Sequence, residues 1–444
     1  MSSAPVVPDE WPVPVPDPEY RLSTLANGLL VATFPMPWLH EVGVTLVVRA
    51  GSRFEADAQA GIAHFLEHML FKGTTAIPDP TDLHTRLESM AADMNAATGQ
   101  ESNAYWITLP PRYLATGFAL FCDMFTQPAL TGLETERQVI LEEMREDENE
   151  RGENINSAIL GGALLWPGHA LARSVLGTPE AIMRINLAAL RAYLHQHYQG
   201  VNMAVAFCGP VEHAACLTLA EQCLGGLPGG ARQPTCPPAP MFPGPHWLAV
   251  DDQTSQFTLT LFFRTGGYQD GLFYPVAALR RLLDDGFSSR LHASLREQRG
   301  LVYDVWASLT AHSDTGVLEV GATVSLDNLA MVFAALLEQL QWLCAAPPQP
   351  DEWQRLLTRW HANLITTLDR PAELIERYVS DRLFGAMEPL STAWQRIGEV
   401  DPRQLPAIAE QVLAPANRVV VLVGPQARKK LSLLQAQAGQ RLVH

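Results

Sequence analysis

The sequence repeats itself at one fixed spacing, and this repeat limits the folds that the chain can adopt. The segment VTLVVRAG at 44–51 matches LTLFFRTG at 259–266, with its Thr, Leu, Arg and Gly identical, at an offset of 215 residues. The same offset aligns VNMAVAFCGP at 201–210 with ANRVVVLVGP at 416–425, where Asn, Gly and Pro are identical. Two distant matches at one offset indicate that the chain consists of two homologous halves.

Each half combines short β-rich runs with longer helical patterns. The predicted strands of the first half are 29–34, 43–49, 104–109 and 203–208. The predicted helices are 60–72, 80–91, 113–126, 134–150 and 187–198 in the first half, and 275–285, 327–344 and 351–368 in the second. This mixture predicts an α+β fold in which each half is an α/β sandwich, a mixed sheet covered by helices.

Composition and punctuation predict the domain plan. The Gly- and Pro-rich segment 225–246 predicts a linker between a first half at 21–224 and a second half at 247–444, after a proline-rich extended arm at 1–20. The net charge of -16 argues against a nucleic-acid partner, and no stretch is long and apolar enough to span a membrane. The arm does not resemble a secretory signal, and the six cysteines include no CxxC pair. We therefore predict a cytoplasmic protein with reduced thiols.

Titratable residues interrupt the apolar helix predicted at 60–72. His64 and His68 are four residues apart and project from one face, and Glu67 lies on the same side. Two imidazoles at this spacing can bind zinc, and a nearby carboxylate can take a proton from water. The order His-x-x-Glu-His is that of the inverzincin signature. So short a pattern also arises by chance, with histidines that only pack or cap.

Zinc requires a third protein ligand and an open position for water. The segment LETERQVILEEMREDENE at 133–150 offers Glu136 and Glu143, which are seven residues apart and share one face of a predicted helix. Glu143 follows His68 by 75 residues.

Three stretches in this order resemble the pitrilysin-type zinc metallopeptidases: HFLEHMLFKGT, MNAATGQESNAYW and ERQVILEEMRE. That family includes insulin-degrading enzymes, mitochondrial processing peptidases and small bacterial peptidases. The resemblance implies one zinc ion per chain, bound by His64, His68 and Glu143, with Glu67 as the general base. It also implies that Glu136 supports the site from outside the ligand set; the alternative is an acidic residue that is merely solvated.

The repeat tests this interpretation. At an offset of 215 from the zinc-site residues, the second half has Leu279, Leu282, Leu283 and Thr358. All potential metal-binding groups are therefore missing together, which predicts one half with the metal and one supporting half.

The second half contains FSSRLHASLREQRGLVYDV at 287–305, which resembles a family stretch with Arg and Tyr seven residues apart. The resemblance implies that Arg296 holds a substrate carbonyl and that Tyr303 donates to an oxyanion, both reaching the site of the first half. The alternative is a surface charge and a packed aromatic ring.

The stretch at 94–109 also resembles a family segment. Asn95 and Ala96 match positions that contact the substrate backbone, and the strand at 104–109 is expected to offer an edge to which an extended peptide can pair. Ala91-Ala92 replaces the Gly-Gly that usually precedes this segment, so the local turn departs from the family pattern.

The resemblance implies a zinc endopeptidase that cleaves peptides or unfolded segments in a clam-like chamber, of which one chain forms half. Its partners would be the peptide substrate and a second subunit, in a homodimer or in a heterodimer with a related chain. One alternative is a peptide-binding or obligate subunit that is inactive alone. Another is the maturation of a cofactor precursor, such as that of pyrroloquinoline quinone, or of a peptide natural product.

Overall fold

Two mixed β-sheets, each covered by helices, form the fold, which confirms the predicted class. The computed structural model describes residues 13–231, 239–242, 244–380, 383 and 388–441. The predicted linker falls partly outside these ranges, as does Cys236, and the domain boundaries stay predictions.

The strands are β1 (Arg21–Thr24), β2 (Leu30–Pro35), β3 (Val42–Val48), β4 (Asp93–Thr98), β5 (Asn103–Leu109), β6 (Met203–Gly209), β7 (His246–Asp251), β8 (Gln256–Thr265), β9 (Asp304–Ala311), β10 (Gly316–Ser325) and β11 (Arg418–Gly424). The helices before the second sheet are α1 (Ile62–Leu70), α2 (Pro80–Glu88), α3 (Leu114–Thr126), α4 (Leu133–Glu146), α5 (Ser157–Leu165), α6 (Pro179–Arg184), α7 (Leu187–His197) and α8 (His213–Leu224). Those that follow are α9 (Phe273–Leu283), α10 (Leu329–Ala345), α11 (Pro350–Thr367), α12 (Pro371–Ile375), α13 (Leu390–Gly398), α14 (Leu405–Val412) and α15 (Ala427–Arg441), with π-helical turns at His292–Gln298 and Glu376–Ser380. Within the described ranges, no single helix is long and apolar enough to cross a membrane. Helices α10 and α11 together have the length and composition, but the pair is bent by 100°.

The two sheets repeat one strand order. The first sheet runs β1-β2-β6-β3-β5-β4 and the second runs β7-β11-β8-β10-β9, so that within the described residues only β1 has no counterpart in the second sheet. Strands β6 and β11 begin 215 residues apart, and both are buried along their whole length. Such continuously apolar strands require cover on both faces of the sheet.

The two halves exchange helices to provide that cover. α5, from the first half, packs on β8 and β11 of the second sheet. From the second half, α12 packs on β3 and β6 of the first sheet, and the π-helical turn after it packs on β6. Helix α5 comes close to the second sheet at Gly161, where a Cβ atom would lie 2.6 Å from the ring of Phe262. Each sheet therefore depends on the other half of the chain for part of its core.

Polar contacts also join the halves. The buried guanidinium of Arg53 lies 2.7 Å from Glu101 in the first half and 2.8 Å from Asp314 in the second. From the amino-terminal arm, Val15 packs into the core of the second half, and Asp17 accepts a hydrogen bond of 3.1 Å from the hydroxyl of Tyr378. Because a buried charge is costly to leave unpaired, separating the halves would be unfavourable.

The expectation that residues 104–109 form a sheet edge is wrong. They belong to β5, which is paired on both sides, with β3 and with β4. The edge is β4, which the sequence analysis did not predict because DMNAAT contains Asp, Asn and Ala, residues that are depleted in strands. The free edge therefore belongs to the strand that carries Asn95 and Ala96.

Candidate metal centre

Helix α1 is held in place at its amino terminus by a remote carboxylate. The helix follows Gly61, whose φ of 93° is left-handed, and it has no side-chain cap of its own. The buried side chain of Glu55 accepts hydrogen bonds from the N–H groups of Gly61 and Ala63, both at 2.8 Å. These N–H groups would otherwise lack partners inside the protein, so Glu55 replaces the missing cap.

Helix α4 brings two carboxylates to the same place. Its apolar side, which includes Ile140 and Met144, is buried in the core of the first half, and the helix packs against α1. Glu136 and Glu143 are two turns apart on α4 and therefore face the imidazoles of α1 together.

The two histidines and Glu143 form a compact set of donor atoms. Nε2 of His64 and Nε2 of His68 each lie 3.7 Å from Oε2 of Glu143. One donor atom from each of the three residues lies within 4.8 Å of the other two. Ligand bonds of about 2.1 Å place the corners of a tetrahedron roughly 3.4 Å apart, so this set of two nitrogens and one oxygen fits a zinc ion.

Burial prepares His64 as a neutral ligand. It is 7% exposed, and burial, with a smaller effect from His68, lowers the pKa of His64 to about 4. An imidazole must be deprotonated to bind a metal. Burial also raises the pKa of Glu143, which the nearby His68 opposes. A divalent cation at this point would favour the ionised carboxylate.

Glu136 contacts the imidazole of His68 at the ring nitrogen that does not face Glu143. Nδ1 of His68 lies 3.2 Å from Oε2 of Glu136, and Nζ of Lys72 lies 2.6 Å from its Oε1. Glu136 is only 5% exposed, so it is not the merely solvated acid of the alternative interpretation. A hydrogen bond at Nδ1 would fix the ring orientation and leave Nε2 for a metal.

Glu67 lies beside the donor set without belonging to it. Its Oε2 accepts a hydrogen bond of 2.6 Å from the hydroxyl of Thr98 on β4. Burial raises the pKa of Glu67, while the bond from Thr98 acts in the opposite direction. A carboxylate with a raised pKa is well suited to exchange protons with water.

The substrate-binding candidates of the first half lie at the free sheet edge. Asn95 and Ala96 are on β4, and the Oδ1 atom of Asn95 accepts a hydrogen bond of 2.8 Å from the N–H of Ala96. This N–H is therefore held by a short local contact that an incoming strand could replace.

Arg296 and Tyr303 lie close to each other but do not contact the metal site. The guanidinium carbon of Arg296 is 5.5 Å from the centre of the Tyr303 ring and 5.6 Å from that of Phe287. Tyr303 is 81% exposed, so it is not the packed aromatic of the alternative interpretation. Among the described residues, neither side chain makes a hydrogen bond or ion pair with His64, Glu67, His68 or Glu143.

The sequence analysis did not select Glu55, Thr98 or Asn103, whose Nδ2 donates a hydrogen bond of 2.6 Å to the hydroxyl oxygen of Thr98. The only signal for Thr98 was its place inside the family-like stretch MNAATGQESNAYW, and a Glu seven residues before the first residue of α1 gives no periodic pattern. All three act through contacts that the folded loops create.

The family models support the resemblance. The model described as "Insulinase (Peptidase family M16)" matches residues 31–178, and that described as "Peptidase M16 inactive domain" matches 184–359. The chain belongs to the M16 family of peptidases. The second description agrees with the absence of metal ligands at the repeat-related positions of the second half, where leucines stand.

Relatives in this family span nearly the whole chain. An uncharacterised zinc protease of Mycobacterium tuberculosis is 28% identical over 422 residues, which cover 92% of this chain and 94% of that protein. The probable mitochondrial-processing peptidase subunit beta of Schizosaccharomyces pombe is 26% identical over 424 residues, covering 92% of each.

Solved structures share the fold. A protease from Helicobacter pylori superposes with a TM-score of 0.85 at 20% identity, covering 92% of this chain and 100% of that one. The periplasmic protease PqqL from Escherichia coli superposes with a TM-score of 0.77 at 21% identity, covering 96% of this chain and 50% of that chain. This M16 chain thus corresponds in fold to half of the longer protease.

Proposed function

We propose that the protein is a zinc endopeptidase that cleaves peptides or unfolded segments. The observation that carries the proposal is the convergence of His64, His68 and Glu143 within 4.8 Å, with Glu67 next to them and outside the donor set. Two imidazoles, one carboxylate and a separate acidic residue are the components of a hydrolytic zinc site.

Glu67 would act as the general base and then as the general acid. A zinc ion on the three donors would polarise the scissile carbonyl and make water more acidic. Glu67 would accept the proton of the attacking water and deliver it to the leaving amine. Glu136 would hold His68 in position through Nδ1 and so preserve the geometry of the donor set.

The substrate would bind as an added strand. Edge strand β4 would pair with an extended peptide through its main chain, with Asn95 and Ala96 as contacts. Only an extended segment can pair in this way, which favours peptides and unfolded chains over folded proteins.

We propose that Arg296 and Tyr303 act on the site of a second subunit. The exposure of Tyr303, and the lack of any hydrogen bond or ion pair between this pair and the donor set among the described residues, support a contribution to a neighbouring chain. The exchanged helices and the buried ion pairs of Arg53 hold the two halves of one chain together. A chamber enclosed by a dimer would therefore open between subunits and not between the halves of one chain. Tyr303 would donate to the developing oxyanion and Arg296 would hold a substrate carbonyl.

The test compares the wild-type chain with Glu67→Gln, using a quenched fluorescent peptide and the measured zinc content. We expect one zinc per chain in both proteins, and a loss of cleavage of at least about 100-fold in the variant. Cleavage by the variant at the wild-type rate would exclude Glu67 as the base.

A second candidate function is that of an obligate subunit that is inactive alone. The exposed Tyr303 and its neighbour Arg296 favour it as well. If Arg296 and Tyr303 serve another chain, the metal site needs such a pair from a partner, which could be a related chain. Bound zinc without cleavage by the chain alone, and cleavage on addition of a second protein, would support this function.

We propose a cytoplasmic location on the basis of free thiols at all the described cysteines.

A further inference from the structure

Thr98 and Asn103 close the hairpin between β4 and β5. They are directly opposite each other in the antiparallel register. The four-residue loop between them is closed by a bond of 2.7 Å from the N–H of Gly99 to the carbonyl of Ser102. The edge strand that is proposed to receive the substrate therefore ends at Thr98.

The hydroxyl of Thr98 has a fixed direction. Its Oγ1 accepts a hydrogen bond of 2.6 Å from Nδ2 of Asn103, a side chain that is completely buried. An amide nitrogen is only a donor, so the Thr98 proton is left to point towards another acceptor. That acceptor is Oε2 of Glu67, at 2.6 Å. Two hydrogen bonds in series thus bind one oxygen of the candidate base to the end of the edge strand.

We propose that Thr98 is a positioning residue that orients the Glu67 carboxylate for proton transfer, with Asn103 fixing the Thr98 hydroxyl. The proposal depends on the proposed function, because it assumes that Glu67 is the base. The Thr98 hydroxyl donates to Oε2 of Glu67. The other oxygen of this carboxylate, Oε1, makes no hydrogen bond with the described residues and is therefore available to accept a proton from water. A carboxylate held in one orientation loses less rotational freedom when it accepts a proton.

The alternative is that Thr98 only stabilises the hairpin. A structural role would lower the unfolding temperature or the affinity for peptide. A positioning role lowers kcat while KM and the zinc content stay near their wild-type values, because the hydrogen bond acts on the base alone.

The experiment uses the full chain with bound zinc and three variants. Thr98→Val removes the hydroxyl and keeps the shape, and Thr98→Ser keeps the hydroxyl. Thr218→Val is the matched control, because the Thr218 hydroxyl also makes a hydrogen bond, to the carbonyl of Ala214 at 2.9 Å, on the outer helix α8. The readouts are kcat and KM for a quenched peptide, the zinc content and the thermal midpoint. Peptide affinity is measured in a Glu67→Gln background.

We expect Thr98→Val to lower kcat about 10- to 100-fold, the loss typical of a hydrogen bond to a charged group. KM, zinc content and peptide affinity should change less than about 2-fold, and Thr98→Ser should recover most of kcat. Unchanged kcat in Thr98→Val, or an equal loss in Thr98→Ser, would overturn the proposal. So would a loss of peptide affinity as large as the loss of kcat/KM. If Thr98→Val does not fold, Thr98→Ala replaces it with the same expectations. If wild type and Glu67→Gln cleave equally, the proposed function has failed instead.

Discussion

At the scale of single residues, the clearest dependence is that of His68 on Glu136. A buried carboxylate is unfavourable without partners. Glu136 has two of them, Lys72 at 2.6 Å and Nδ1 of His68 at 3.2 Å. The pair with Lys72 neutralises the buried charge, and the contact with His68 orients the ring. We therefore expect Glu136 to be important for the metal affinity of the proposed site, although it is not one of the three proposed ligands.

We predict that Glu136→Gln weakens zinc binding about 10- to 100-fold, the range typical for partners of metal-binding histidines. The amide cannot carry the negative charge that pairs with Lys72 and attracts the N–H of His68. The measurement is competition with a chelator of known affinity. Glu142→Gln is the control, because Glu142 is an exposed acid on the same helix that pairs only with Arg145 among the described residues. Equal affinities in both variants would contradict the prediction.

The two histidines and Glu67 could be placed together from the sequence, whereas Glu55 and Thr98 could not be connected to them. His64, Glu67 and His68 lie within two turns of one helix, so the helical period alone places them on one side. Thr98 is 31 positions from Glu67, and their contact exists only because a hairpin brings β4 beside α1. A contact between residues that a hairpin brings together produces no periodic pattern in a single sequence, so it cannot be predicted from the spacing of residues.

At the scale of elements, the position of α1 depends on Glu55. Burial raises the pKa of Glu55 to about 7, against 4.5 for an unperturbed carboxyl group, although the N–H groups of Ala63 and Gly61 favour ionisation. Between these values the folded chain keeps a proton that the unfolded chain releases. The contribution of Glu55 to stability is therefore complete below about pH 4.5 and declines as the pH rises towards 7.

We predict that Glu55→Gln removes this decline. The free energy of unfolding of the variant, relative to the wild type, should rise with pH by up to about 3 kcal/mol between pH 4.5 and 7. Urea unfolding at a series of pH values, on metal-free protein, measures the difference. Glu88→Gln, at an exposed position on α2, controls for the change of carboxyl to amide. A difference that does not vary with pH would show that Glu55 does not titrate in this way.

The sequence analysis missed β4 and α5 because the local sequence of each disfavours the structure that the rest of the fold imposes on it. Strand β4 follows Ala91, whose φ of 53° is left-handed and would suit glycine, so the Ala-Ala sequence concealed the turn. Helix α5 contains two glycines, which disfavour helix in isolation, yet Gly161 lets the helix approach Phe262 of the other half. Long periodic helices such as α4 and α10 were predicted because their own apolar faces specify them.

At the scale of the whole molecule, the exchanged helices make one chain a single unit. α5 and α12 each complete the core of the opposite sheet, and the buried Arg53 bridges Glu101 and Asp314. A movement that opened a cleft between the halves would expose apolar surface and leave charges unpaired. If the chain forms the proposed dimer, access for a peptide is therefore expected between subunits, where Arg296 and Tyr303 are proposed to act.

Complementation between two inactive variants tests this arrangement. One chain carries Glu67→Gln and keeps Arg296 and Tyr303; the other carries Arg296→Ala with Tyr303→Phe and keeps Glu67. If each site takes its Arg and Tyr from the partner, a mixed dimer contains one complete site. Random pairing at equal amounts should then restore up to about one quarter of the wild-type activity, because half of the dimers are mixed and each has one of two sites.

Two affinity tags would isolate the mixed dimers, and each variant alone provides the inactive reference. If a chain used its own Arg296 and Tyr303, no dimer in the mixture would contain a complete site and activity would stay at the level of the references. Recovery therefore separates sharing between subunits from completion within one chain. It does so with the zinc donors, the edge strand and the helix exchange intact in both chains, so that neither the metal nor the fold can account for the difference.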